Sequence, residues 1–174
     1  MQMFYLIALR FVHVIASVCW AGGGLIFFWF VEPTAKALEP MGMQFVQHMA
    51  GKRRFNMFMV INSTLTVLSG ALLLWHSTSG NLRAYISTGP GLGFALGSLV
   101  GIAVYFVGMI GVGPRAGKLA KIGEAIQITG GPPTPEQIAE MQKLDKEMST
   151  FSKIDFWMVA LSLALMATAR YWLF

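Results

Sequence analysis

The sequence predicts an all-α integral membrane protein, a polytopic four-helix bundle that forms a single domain over residues 1–174. Composition is the first reason: 55% of the residues are hydrophobic and 12% are charged, whereas soluble domains carry about 25% charged residues. The mean hydropathy of +0.60 agrees. The second reason is the presence of four apolar segments, each long enough for a helix that crosses a bilayer.

The four predicted spans are residues 11–31, 55–75, 91–112 and 154–173. Each has close to the roughly 20 residues that cross the apolar core of a membrane as a helix. A chain in lipid must satisfy its own backbone hydrogen bonds, so continuous apolar runs of this length indicate helices. The first run is longer than that of a signal peptide and lacks its basic start, so we expect it to be retained.

Basic residues predict the orientation of the four spans. Ten of the thirteen Lys and Arg residues lie in the first and third loops, and only Arg83 lies in the middle loop. Loops rich in Lys and Arg stay in the cytoplasm, so both termini are expected outside (N-out/C-out). The basic loops then face anionic lipid. No nucleic-acid motif occurs, so nucleic acid is not an expected partner.

Cytoplasmic extensions are predicted for helices 2 and 4. In "TGGPPTPEQIAEMQKLDKEM", Thr134 suits the cap of a helix, Pro135 its first position and Gln137 the partner position of a capping box. This helix is expected to run straight into the fourth span. The stretch "MGMQFVQHMAGKRRF" is expected to extend the second span in the same way.

The third span carries Gly93, Gly97 and Gly101 at intervals of four residues. Small residues at this spacing allow another helix to approach closely. Three interpretations stay open: packing within the bundle, contact with a flat cofactor, and dimerisation.

Two of the three histidines, His13 and His76, lie at the outer ends of the first and second predicted spans. Each shares a helical stripe with polar or small residues, and such residues usually face the interior of a bundle. Both imidazoles are therefore expected to point inward at a similar depth. His48 would lie about 40 Å from His76 along one continuous helix, so it is not expected in the same site. The stripes contain Ser17, Trp20 and Gly24, and Asn62, Thr66 and Ser69.

Arg10 lies one turn from His13, and Arg170 lies near the outer end of the fourth span. A b-type haem needs axial ligands such as imidazoles and cations for its propionates. The pattern therefore predicts haem b, with His13 and His76 as iron ligands and Arg10 and Arg170 as propionate partners. The alternative is that these side chains lie in the headgroup region, in a belt with Trp75, Tyr171 and Trp172.

Twelve methionines raise copper as a second candidate metal, since thioethers select Cu(I). Several lie in the cytoplasmic half, but core filling explains such residues equally. The single Cys19 excludes an internal disulfide and a cysteine metal cluster. Asp155 and Glu32 are expected to pair with a neighbouring lysine, Lys153 or Lys36. The methionines of the predicted cytoplasmic half are Met41, Met43, Met49, Met57 and Met59.

The stretch "RFVHVIASVCWAGGGLIFFWFVEPTAKAL" resembles the first helix of CopD-like membrane proteins, with His13, Trp20, residues 22–24 and Pro33 at the His, Trp, Gly-rich and Pro positions. "KRRFNMFMVINSTLTVLSGALLLW" and "KLDKEMSTFSKIDFWMVALSLALMATARYW" are similar to their second and last helices. The same grouping includes the HemJ-type protoporphyrinogen oxidases, which are four-helix haem proteins. The resemblance implies a multi-pass protein of the bacterial cytoplasmic (inner) membrane. It departs from the HemJ-type pattern because the third span has no histidine, and from copper proteins because a dense Met/His set is missing.

Three functions remain as hypotheses. The first is a b-type haem protein that takes part in electron transfer, as a component of a membrane oxidoreductase that exchanges electrons with quinol or a periplasmic carrier. The second is a non-catalytic accessory or assembly subunit that contacts other membrane subunits or a second copy of itself. The third is copper-related or proton-coupled transport.

Overall fold

The computed structural model describes residues 2–39 and 41–174. The described chain is all-helical, at 89% helix and without strands. Its elements, in chain order, are α1 (Gln2–Ile26), a first π-helical segment (Phe27–Val31), α2 (Glu32–Ala37), α3 (Met41–Gly51), α4 (Phe55–Thr78), α5 (Leu82–Ile86), α6 (Gly89–Phe106), a second π-helical segment (Val107–Val112), α7 (Gly113–Thr129), α8 (Pro135–Thr168) and a 3₁₀ turn (Ala169–Tyr171).

Four long helices are apolar enough to cross a membrane: span 1 (Met3–Ala37), span 2 (Phe55–Thr78), span 3 (Gly89–Thr129) and span 4 (Pro135–Tyr171). The predicted four-helix membrane fold is therefore confirmed. Many large apolar side chains on these helices are exposed, which suits contact with lipid. Spans 1, 3 and 4 extend past the predicted spans at the end that holds the basic loops, called the basic end below. The N-out orientation remains a prediction.

The helices of the bundle pack as two pairs. In the first pair α1 lies along α4, and in the second α6 lies along α8. The pairs join where α4 meets α6, whereas α1 and α8 touch at few points. Just after α1, Phe28 of the first π-helical segment stacks on Phe156 of α8, with ring centroids 5.1 Å apart. Space is left along this seam, inside the bundle.

Each π-helical segment is followed within two residues by a proline, Pro33 or Pro114. A proline inside a helix lacks the N–H for the next backbone bond and clashes with the carbonyl four residues earlier. The wider π turn accommodates that clash while the helix continues. Near Pro114, Arg115 donates to the carbonyl oxygens of Gly111 at 2.7 Å and Ile110 at 3.3 Å. Spans 1 and 3 therefore continue as helices through their prolines.

The expected extension of span 2 is wrong in one respect. A helix does form over Met41–Gly51, but this helix, α3, is separated from α4 by a turn in which Arg54 has a left-handed φ of 53°. α3 instead packs against α2, where Gly42 lies directly on the backbone of Ala35. The extension of span 4 is as predicted: α8 is 34 residues long and begins with the capping box of Thr134 and Gln137.

Ion pairs tie the ends of spans 1 and 3 to α8. Lys36 Nζ lies 2.9 Å from Glu32, the predicted pair, and 3.1 Å from Asp145. Arg115 Nε donates to Glu147 at 2.7 Å, and its guanidinium lies 4.5 Å from the Phe151 ring centroid. These contacts join α8 to spans 1 and 3 at the basic end, and as partly exposed ion pairs each contributes only modestly to stability.

The glycines of span 3 pack against α8 and its terminal turn. A Cβ on Gly93 would lie 2.8 Å from Ala169 Cβ, and one on Gly97 would lie 2.7 Å from Met166 Cγ. Ser162 Oγ donates to the Gly97 carbonyl at 2.8 Å across the same contact. Of the three interpretations, packing within the bundle is the one seen for these two glycines. Gly101 also borders a cavity.

We expect Gly93→Ala to lower the stability of the protein by about 1–3 kcal/mol, because its methyl group overlaps the Cα and Cβ of Ala169. The matched control is Gly117→Ala on α7, where a Cβ meets nothing within 4 Å. That variant gains helix propensity, worth about 1 kcal/mol or less. Thermal unfolding in detergent measures both. Equal unfolding midpoints for the two variants would contradict the close helix contact.

Candidate functional site

His13 lies at the interface of α1 and α4 and is half-buried. Its Nδ1 is 2.9 Å from the backbone carbonyl oxygen of Thr66 and 3.3 Å from Ser69 Oγ. A carbonyl oxygen can only accept a hydrogen bond, so Nδ1 carries the proton and donates it. In the neutral ring, Nε2 then keeps a lone pair.

The hydroxyl groups around His13 donate to their own helices. Ser17 Oγ donates to the His13 carbonyl at 2.6 Å, and Thr66 Oγ1 donates to Asn62 at 2.8 Å. Ser69 Oγ donates to Leu65 at 2.5 Å. Because each hydroxyl proton is committed along its own helix, the Ser69 oxygen is left as an acceptor toward Nδ1. The cluster therefore favours the Nδ1–H form of His13.

Gly70 allows the imidazole to lie against α4. A Cβ at this position would be 2.8 Å from His13 Cε1 and 3.1 Å from Nδ1. Any side chain here would push the ring away from the Thr66 carbonyl. The close approach of ring and backbone thus depends on this glycine.

A cavity of about 340 Å³ lies beside His13, among α1, α4, α6 and α8, and is called the His13 cavity below. Its volume falls within the usual range for small-molecule sites. Nε2 of His13 has no hydrogen-bond partner within residues 3–39 and 41–174. The other ring nitrogen donates to a backbone carbonyl, which is the usual arrangement of a histidine that binds a metal. The lining includes His13, Ser17, Trp20, Gly70, Gly101 and Met166.

The other predicted site residues do not lie with His13 in this cavity. His76 is exposed and is not part of the lining. It follows Ser69 by seven residues, which is about 10 Å further along α4. Arg10 and Arg170 are also exposed, and neither forms an ion pair in the part of the chain that the structure describes. The structure therefore brings His13 together with Ser17, Thr66 and Ser69, but not with His76.

Met166 is the residue of the His13 cavity that the sequence analysis missed. It lies one turn after Ser162 on α8, and both line the cavity. Ser162 is a buried polar residue on an apolar helix. Its polarity is a signal that this face of α8 points inward, and Met166 shares that face at a spacing of four.

A second cavity of about 510 Å³ lies toward the basic end and is called the Asp155 cavity. It adjoins the His13 cavity, since Trp20, Ala21 and Val159 line both. Seven of the twelve methionines line it: Met43, Met49, Met57, Met59, Met109, Met141 and Met148.

Nothing beyond the methionines themselves favours the copper hypothesis. His48 does not line the Asp155 cavity. Among the described residues, no group of three or more His, Cys, Asp or Glu side chains is placed to hold a metal ion. Four of the five methionines of the predicted cluster line the cavity, whereas Met41 is 70% exposed. Copper binding stays an untested prediction.

Asp155 lies on the wall of this second cavity without the expected partner. Its carboxylate forms no ion pair and accepts no hydrogen bond within the described ranges, 3–39 and 41–174. Lys153 is exposed and forms no ion pair with it. The expectation that Asp155 pairs with Lys153 is therefore wrong, and the carboxylate faces an apolar space instead.

No family model, no curated protein and no solved structure matches the chain.

We expect ¹⁵N NMR of the histidine-labelled protein to show His13 in the Nδ1–H form, because its partner is a carbonyl oxygen. Gly70→Ala should remove that signal, since the new methyl group occupies the position of the ring. Gly22→Ala is the control, because a Cβ there meets nothing within 4 Å. A His13 protonated at Nε2 in the unaltered protein would contradict the proposed hydrogen bond.

Proposed function

We propose that this chain is a b-type haem protein of the membrane that takes part in electron transfer, with His13 as an iron ligand. One observation carries the proposal. His13 donates from Nδ1 to the Thr66 carbonyl, while Nε2 has no partner within the described ranges, 3–39 and 41–174, and the side chain lines a cavity of ligand size. A half-buried imidazole held in this way has a lone pair ready for a metal.

The side chains around this cavity fit a haem group better than a bare metal ion. A bare ion needs several His, Cys, Asp or Glu ligands, and no such cluster occurs among the described residues. Haem supplies four of its own nitrogen ligands and needs only axial ones from the protein. With Cys19 as the only cysteine, the covalent attachment of c-type haem through two cysteines is excluded. A haem held without covalent bonds, of the b type, is therefore the form that we propose.

Met166 is our candidate for the second residue that would hold the haem. Among the described residues it is the methionine that lines the same cavity as His13, from the opposite pair of helices. A His and a Met together hold haem in known proteins, and a methionine there would raise the reduction potential. His76 is the competing candidate from the sequence, but it lies outside this cavity.

When bound, a haem would supply one-electron redox chemistry at this site. The residues of the chain hold the group and set its surroundings. The Thr66 carbonyl increases the basicity of His13 Nε2 and fixes the ring orientation. Arg10, one turn before His13, and Arg170, next to the Ala169–Gly93 contact, are the proposed cations for the propionates.

The resemblance of the first span to CopD-like proteins supports the same proposal, since it assigns the histidine of that pattern to His13. An inner membrane of bacteria is then the proposed location. Quinol or a periplasmic carrier is the proposed exchange partner for electrons.

We expect the purified protein from haem-replete cells to give a low-spin b-type band in a reduced-minus-oxidised spectrum. His13→Ala should abolish the band because it removes the iron ligand. Met166→Leu should keep the haem but convert it to a high-spin form, since leucine fills a similar volume without a donor atom.

His76→Ala and Met41→Leu serve as controls and should leave the spectrum unchanged. Loss of the band in His76→Ala, with no effect of Met166→Leu, would assign the second ligand to His76 instead. No band in any preparation would reject the haem proposal.

A further inference from the structure

The Asp155 cavity contains a feature that haem at His13 does not explain. Asp155 lies on span 4, at the basic end of its apolar run 154–173, where an ionisable residue is costly to bury and usually serves a function. Within the described residues its carboxylate has neither a cationic partner nor a hydrogen-bond donor. A ligand that donates a hydrogen bond would supply what the chain does not.

The walls of this cavity suit a flat apolar ring. Thioethers of seven methionines line it, and methionine sulfur makes favourable contacts with aromatic rings while adapting to irregular shapes. Phe27, Phe28 and Phe156 also line the cavity. Ligand sites are typically apolar with a few polar groups that fix orientation. Here the additional polar side chains are Gln47, Asn56, Ser63, Tyr105 and Ser152.

Both π-helical segments contribute to this cavity. In the first, Phe27 stacks on Phe55 of α4 at 5.9 Å and Phe28 stacks on Phe156 of α8 at 5.1 Å. Consecutive residues thus reach two different helices and hold the cavity walls apart. π-helical turns occur frequently at functional sites. Two π-helical segments that border one cavity indicate that this cavity is a binding site and not a packing defect.

Gly108, in the second π-helical segment of span 3, leaves the Asp155 carboxylate accessible from the side of span 3. A Cβ at Gly108 would lie 3.6 Å from Asp155 Oδ1, which is ordinary contact distance. A longer side chain at this position would cover the carboxylate. The glycine therefore keeps Asp155 open to the cavity.

We propose that the Asp155 cavity binds a lipid-soluble molecule of the quinone and quinol class, with a carbonyl or hydroxyl group of its ring hydrogen-bonded to Asp155. An ionised carboxylate accepts from a quinol hydroxyl, and a protonated one donates to a quinone carbonyl. Such a ring enters from lipid, fills apolar space beside aromatic and thioether groups, and still offers oxygen atoms to a carboxyl group. A plain acyl chain would leave Asp155 without a partner. This inference concerns binding alone and does not rest on the haem.

Titration of the detergent-purified protein with decylubiquinone, a short-tailed benzoquinone, tests the site through quenching of tryptophan fluorescence. Trp20 lines the cavity, so saturable quenching is expected and should shrink in Trp20→Phe. Asp155→Leu should bind decylubiquinone roughly three- to tenfold more weakly, because the hydrogen bond that the protonated carboxyl donates to the quinone carbonyl is lost. Gly108→Leu should weaken binding as well, because its side chain covers the carboxylate.

Matched controls separate this site from general effects. Asp145→Leu changes the other aspartate of α8, which pairs with Lys36 outside the cavity, and should bind as the unaltered protein does. Gly117→Leu repeats the glycine change on α7, in open space, and should also bind normally. His13→Ala should keep quinone binding even though it abolishes haem, so failure of the two proposals is distinguishable.

Non-saturable quenching would overturn the proposal. So would equal affinity of Asp155→Leu and Gly108→Leu with their controls. Competition by dodecanol at the same concentration as decylubiquinone would assign the cavity to acyl chains and would equally overturn it.

Discussion

The hydrogen bond from His13 Nδ1 to the Thr66 carbonyl is the interaction on which the site depends. It joins α1 to α4 at 2.9 Å and fixes which ring nitrogen carries the proton. It also requires Gly70, since any side chain there would displace the ring. Because hydrocarbon offers no competing partner, such a polar contact between helices is seldom exchanged for water. The free lone pair on Nε2, and with it the proposed iron ligand, follows from this one bond.

The second constraint on the bundle comes from Pro33 and Pro114. Each lies inside a long helix, and each follows a π-helical segment that absorbs its clash with the preceding turn. These wider turns direct Phe28 to α8 and place Gly108 beside Asp155. The basic end is thereby held open around one cavity, which shares Trp20, Ala21 and Val159 with the cavity at His13.

Hydropathy was sufficient to predict the four spans, because lipid demands the same apolar length from any helix. The capping box at Thr134 and the inward stripe of His13 were likewise local patterns. His76 is different: whether it meets His13 depends on the axial offset of α4 against α1, and the contact at Gly70 sets that offset. Proline in a helix permits a break, a kink or a π turn, so the π-helical segments could not be chosen from sequence. The turn at Arg54 was missed because a left-handed arginine has no sequence signature.

The most direct test of the central claim is chemical rescue of the proposed iron ligand. His13→Gly leaves a space the size of an imidazole beside the cavity, so added imidazole should restore a low-spin b-type spectrum to the haem-reconstituted variant. The account predicts rescue in His13→Gly and an unchanged spectrum in His76→Gly with or without imidazole. Two results would contradict the assignment of His13. One is a His13→Gly protein that keeps its low-spin haem without imidazole. The other is a His13→Gly protein that imidazole does not rescue, together with a His76→Gly protein that imidazole does rescue.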